Sequence, residues 1–186
     1  MQAVDLKHAY RLLNHGPTVL VGSHHAGRHN VMAAAWAMPL DFEPPKIAVV
    51  IDKATLTREL VEASGVLSLN VPCVAQAALT RAVGGESGRD HPDKLARCGV
   101  RFRPGPATGT PLIEGCTAQL ECRLLPATAH VAGPHDLILA EVLGAWADER
   151  VFSQGRWHFE DAPPALRSLH HVAGGFFYAT GEPVPG

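Results

Sequence analysis

Polar and apolar residues alternate most cleanly over residues 116–124, CTAQLECRL. On an extended chain Cys116, Ala118, Leu120, Cys122 and Leu124 share one face, and Thr117, Gln119, Glu121 and Arg123 the other. That pattern predicts a strand of an antiparallel sheet with one buried and one solvated face. Further strands are predicted at 18–23, 66–71 and 137–143, and the continuous apolar run at 46–51 suits a strand covered on both faces. HHAGRHN reads as the turn after the first strand, with 31–38 as the returning strand, and Glu43-Pro44-Pro45 as a rigid linker.

Helical signals are shorter. Residues 4–14 suit a helix closed by Asn14-His15-Gly16-Pro17, and LTRELVEA at 56–63 suits another, ending near Ser64 and Gly65. Pro72 can open a helix over 73–83, because the first turn does not need its amide. Asp90 and Pro92 announce a short helix carrying Lys94, while 84–88 and most of 100–115 read as loop. Strands outnumber helices, and the helices fall between strands. The fold expected is mainly β (α+β), a closed or partly closed barrel with short flanking helices. No GxGxxG follows the first strand and no GxxxxGK[ST] occurs, so neither a Rossmann nor a P-loop site is indicated.

Composition narrows the function classes. The chain has 186 residues, which favours one domain over 1–186, and 46% hydrophobic against 18% charged residues supply a core. A formal net charge of −2 gives no electrostatic case for nucleic acid or an anionic membrane. No apolar run approaches the roughly 20 residues of a membrane span, and MQAVDLKHAYRLL lacks the apolar centre of a signal peptide, so a cytoplasmic location is expected. The four cysteines form no CxxC pair and read as reduced, buried small hydrophobes. His24-His25, His29 and His170-His171 raise a metal-binding barrel as an alternative, although adjacent histidines on a strand point to opposite faces and no HExxH is present.

Four stretches can carry chemistry. RHNVMAAAW at 28–36 cuts a strand back to three methyl side chains, leaving either a tightly packed core or room for a planar ligand whose polar edge meets backbone groups, Asn30 and the Trp36 indole. Thr55 and Thr57 stand where a helix begins, as caps or as part of an anion site. Lys94 follows a glycine-rich loop, where it is either a solvated charge or a phosphate ligand, and His135 stands at the mouth of the strand at 137–143.

The order PTVLVGS, GRHNVMAAAW, EPPKIAVVIDKATLTRELVEASGVLSLNVP, SGRDHPDKLARCG, GPHDLILAEV and LHHVAGGFFYATGE resembles the flavin reductase-like, FMN-binding split-barrel family, flavoredoxins in particular, over roughly residues 10–182. The resemblance implies an FMN-binding split β-barrel, a homodimer with flavin near the subunit interface. It implies that Asn30, Val31, Met32, Ala33 and Trp36 line the isoalloxazine and ribityl chain. It also implies that Asp52, Thr55 and Thr57 hold ribityl or phosphate oxygens, that Lys94 contacts the phosphate, and that Phe176 or Phe177 covers the ring. His135 matches the histidine of the family's GxHxxxxGEV stretch. Two positions depart from the pattern. Ala33 replaces a hydroxyl residue, so backbone groups or water must supply that hydrogen bond, and Ala140 replaces the glycine of GEV.

The implied activity is hydride transfer from NADH or NADPH to FMN, with His135 stabilising charge at the flavin edge or positioning the nicotinamide. Electrons then pass to a partner monooxygenase or another acceptor. A non-enzymatic FMN electron carrier fed by a protein donor would use the same residues.

Overall fold

The computed structural model describes residues 17–126, 129–172 and 175–184, and of residues 129–131 the backbone alone. The helix expected at 4–14 lies outside the described residues. β1 (Val19–His25) and β2 (Arg28–Ala34) form a hairpin closed by Ala26 and Gly27, both at positive φ (47° and 76°), the conformation whose twist suits a two-residue turn. The turn is therefore shorter than HHAGRHN. His24 pairs with His29 and Ser23 with Asn30 within the ladder.

The strand expected over 31–38 is two strands. Val19 is the last β1 residue opposite β2, at Ala34, and beyond it the chain turns through Ala35 and Trp36 into β3 (Ala37–Phe42). β3 pairs instead with β4 (Pro45–Val50), and Glu43 and Pro44 form the turn of that hairpin rather than a linker. Helix α1 (Leu56–Ser64) begins at the Thr55 cap and ends at Gly65 in the left-handed region (φ 73°), leading into β5 (Val66–Val71). A 3-10 turn (Val74–Gln76) precedes α2 (Ala77–Gly85), and α3 (Lys94–Arg97) is a single turn.

Residues 100–115, expected as loop, contain a ribbon of β6 (Phe102–Pro104) and β7 (Pro111–Ile113). β8 (Ala118–Leu124), α4 (Ala129–His135) and β9 (Leu137–Ala147) follow. Two short strand pairs end the described chain: β10 (Phe152–Ser153) with β11 (Arg156–Trp157), and the hairpin of β12 (Leu169–Val172) and β13 (Phe176–Ala179).

Seven strands form one antiparallel sheet in the order β2-β1-β5-β8-β9-β4-β3. Its two outermost strands, β2 and β3, are consecutive in the chain and separated only by Ala35 and Trp36. The sheet must therefore coil until its edges meet at that corner, where the Val50 amide donates to the Trp36 carbonyl (2.9 Å). This is the split-barrel architecture that the resemblance implies. Val19, Val21, Ile47, Val49, Leu67, Leu69, Cys122, Ile138 and Ala140 fill one core with Val61 of α1, and Leu20, Val31 and Ile113 join Val83 of α2 in a second.

The polar face of β8 is solvated at Arg123 but covered along the rest of its length. Thr117 and Glu121 are fully buried. The Glu121 carboxylate accepts from the amides of Ala107 (3.1 Å) and Thr108 (2.7 Å) and from the Thr108 hydroxyl (2.5 Å), and Gln119 donates to the Ile113 carbonyl (2.6 Å). The covered length carries the β6–β7 ribbon and its connecting loop instead of water. All four cysteines are free thiols, and burial pushes Cys116 and Cys122 up to about 12, so they are unreactive packing residues.

Candidate functional site

At the corner between β2 and β3 lies a cavity of about 480 Å³. The end of β2 and the corner give it Met32, Ala33, Ala34, Ala35 and Trp36. The end of β4 gives Val50 and the segment after it Asp52, α2 gives Thr80, Arg81, Gly84 and Gly85, and Thr18 with His171, Gly175 and Phe177 of the C-terminal hairpin completes the wall. All three alanines of RHNVMAAAW line this space. Gly84 extends the same logic: a Cβ there would stand 3.2 Å from the Ala33 Cβ, so small residues on both elements are what let α2 approach β2. The hairpin is tied to β1, since Thr18 donates its amide to the Leu169 carbonyl (2.8 Å) and its hydroxyl accepts from the His171 amide (3.1 Å).

The residues singled out from sequence divide into three groups. Met32, Ala33, Trp36 and Asp52 line the cavity. Asn30, Thr55, Thr57 and Lys94 do not, but three of them belong to a neighbouring cluster at the start of α1. Buried Asn30 donates to the Thr57 hydroxyl (2.8 Å). Thr55 is the helix cap, accepting from the Arg58 amide (3.2 Å) and donating to the Asp52 carbonyl (2.8 Å). The loop before α3 covers this cluster, and Gly88 is required there because a Cβ would stand 2.7 Å from Asn30 Oδ1. Lys94, at the far end of that loop, is only 3% exposed and has no hydrogen bond or ion pair among the described residues. Burial pushes its ammonium below the ordinary lysine value, against the attraction of Cys98 and Glu86.

The third group stands apart. Val31 is a core residue. Phe176 is exposed, and it is Phe177 that lines the cavity, because successive residues of β13 point to opposite faces. His135 is exposed at the end of α4 and does not line the cavity. Its neighbour Asp136 accepts the Ile51 amide (2.9 Å), which holds the end of α4 one residue from Asp52.

Sequence reading missed the α2 wall. Thr80, Arg81, Gly84 and Gly85 recur at the spacing of one helix face, but ending the helix at 83 assigned the glycines to a loop and hid that face. Thr80 is fully buried and its hydroxyl has no partner among the described residues. The expected alternative of histidine-bound metal finds no cluster of three or more His, Cys, Asp or Glu among the described residues. His24 and His29 stack on each other as a cross-strand pair, ring centroids 5.8 Å apart.

An apolar slot walled by methyl groups and an indole, with a few polar groups at its edge, is the form of a site for a planar ligand. Such a slot at the corner of a split barrel defines a class of small-molecule-binding β proteins. The chain belongs to the flavin reductase-like domain family, whose model matches residues 11–170. It is 51% identical to an FMN-binding domain of a flavin reductases-like enzyme from Shewanella baltica OS155, with a TM-score of 0.89 over 100% of this chain and 96% of that one. It is 49% identical to the uncharacterized protein YddH of Escherichia coli (strain K12) over 97% of this chain and 95% of that protein. To RutF, an FMN reductase (NADH) of Variovorax paradoxus (strain S110), it is 29% identical over 86% and 87% of the two chains.

Proposed function

We propose that the protein binds FMN in the cavity at the β2–β3 corner and catalyses its reduction by NADH or NADPH. The observation that carries this reading is the slot itself: alanines 33–35, Trp36 and Phe177 are among the residues that enclose about 480 Å³ at the β2–β3 corner. The similarity to an FMN reductase (NADH) supports the choice of reaction. Bound FMN supplies the hydride-accepting ring. The chain's residues supply shape, charge and exclusion of water. Alanines 33–35 let backbone approach the ring face, Trp36 and Phe177 give apolar walls, and Asp52 accepts from ribityl hydroxyls.

Lys94 takes the phosphate. Its side chain is almost wholly buried and meets no carboxylate among the described residues, and an anion would offset the cost of that partial desolvation. The Asn30–Thr57 hydrogen bond, 2.8 Å long, ties β2 to the start of α1. His135, exposed beside the Asp52 wall, orients the nicotinamide. The protein acts as a homodimer through β3, an outer strand with Met38, Leu40 and Phe42 exposed, the last at 98%. Reduced FMN then serves a partner monooxygenase or another acceptor.

The test is anaerobic mixing of purified protein, FMN and each nicotinamide donor, following loss of visible flavin absorbance. Bleaching by one or both donors at a rate set by protein concentration is the expected result. FMN that binds but is not bleached by either donor contradicts the reductase reading and leaves the electron carrier.

A further inference from the structure

Two adjacent residues of α2, Thr80 and Arg81, bring hydrogen-bond donors to the cavity wall. Thr80 is fully buried there with an unpartnered hydroxyl. Arg81, the next residue, lines the same cavity from an exposed position. It makes no ion pair among the described residues, whereas Arg28, Arg58, Arg89 and Arg97 each meet a carboxylate. A fully buried hydroxyl left unsatisfied is a cost that folding alone does not explain. Met32, Val50 and Phe177 offer no side-chain hydrogen bond and Asp52 is an acceptor, while Thr18, Trp36 and His171 line the wall from other elements. Thr80 and Arg81 are neighbours on α2, so they offer an acceptor-rich ligand edge a neutral and a charged donor side by side.

We infer that Thr80 and Arg81 receive the acceptor-rich pyrimidine edge of the flavin ring, Thr80 as hydrogen-bond donor and Arg81 as the charge that favours the reduced ring. This rests on the reading of the cavity as an FMN site. Hydride transfer breaks a C–H bond of the donor nicotinamide and forms an N–H bond on the ring. It delivers two electrons and one proton, so the donor becomes cationic and the ring gains one negative charge. A guanidinium beside the edge that receives this charge binds the reduced form more tightly than the oxidised one and raises the reduction potential.

The experiment uses the full chain and three variants, Thr80→Val, Thr80→Ser and Arg81→Gln. It measures the dissociation constant of oxidised FMN by flavin fluorescence titration, the midpoint potential of bound FMN, and the melting temperature of the FMN-free protein. Thr80→Val keeps the shape and removes the hydroxyl. It is expected to weaken FMN binding about fivefold, the size of one hydrogen bond, while raising the melting temperature of the FMN-free protein. Thr80→Ser is expected to retain wild-type affinity. Arg81→Gln is expected to make the reduced form bind about tenfold more weakly relative to the oxidised form, which is a potential about 30 mV more negative. Wild-type affinity in Thr80→Val and wild-type potential in Arg81→Gln, with FMN bound by the wild-type protein, would overturn the inference and leave the FMN reading standing. Failure of the wild-type protein to bind FMN would overturn both.

Discussion

Lys94 carries its charge into a site where no described residue pairs with it. Because burial lowers its pKa, the unfolded chain holds the proton more tightly than the folded one in the window from the lowered value up to the ordinary lysine value of about 10.4. Protons bound by the unfolded state then exceed those bound by the native state, so the stability of the FMN-free protein is expected to rise with pH across that alkaline window. Below it, the burial cost is present in full. Urea unfolding midpoints at several alkaline pH values check this, and Lys94→Met should flatten the slope. An unchanged slope in the variant would assign it to another group. The same substitution should weaken FMN binding by about 1–2 kcal/mol, the worth of a charge-assisted hydrogen bond to phosphate.

At the scale of elements, buried Glu121 is the fastening between β8 and the loop that joins β6 to β7. Gly105 makes that fastening possible, since a Cβ at that position would fall 2.1 Å from Glu121 Oε1. Gly105→Ala is expected to cost about 2–4 kcal/mol of stability, as the carboxylate is displaced from its amide partners and left buried. A denaturation midpoint within error of wild type would contradict this. The example also shows where the sequence stops being legible. β5, α1 and β9 follow from their own apolar periods, and β8 does too. What covers the polar face of β8 does not, because its partners are main-chain amides that any loop offers. The break at Ala35 and Trp36 was hidden for a related reason: it is set by where β1 begins, at Val19 opposite Ala34, not by the residues at the break. Of the site, the alanine wall was readable because three methyl side chains on a strand are unusual. Thr80 and Arg81 were not, because their meaning depends on having no partner, which only the packing reveals.

For the whole molecule, the coiled sheet brings two distant consequences to one corner. It leaves β3 as an outer strand with large apolar side chains exposed, and it places the alanine-walled cavity beside that strand, with Trp36, 49% exposed, at the junction. Association through β3 should therefore be broken by Phe42→Asp, turning a dimer into a monomer in sedimentation velocity. A mass unchanged by the substitution would move the interface elsewhere. The central claim, that alanines 33–35 are small because a flavin ring lies against them, is tested most directly by a crystal structure grown with FMN. The ring is expected in the cavity between the alanines and Phe177, with its phosphate at Lys94. FMN bound at another surface, or an empty cavity at saturating FMN, would contradict it.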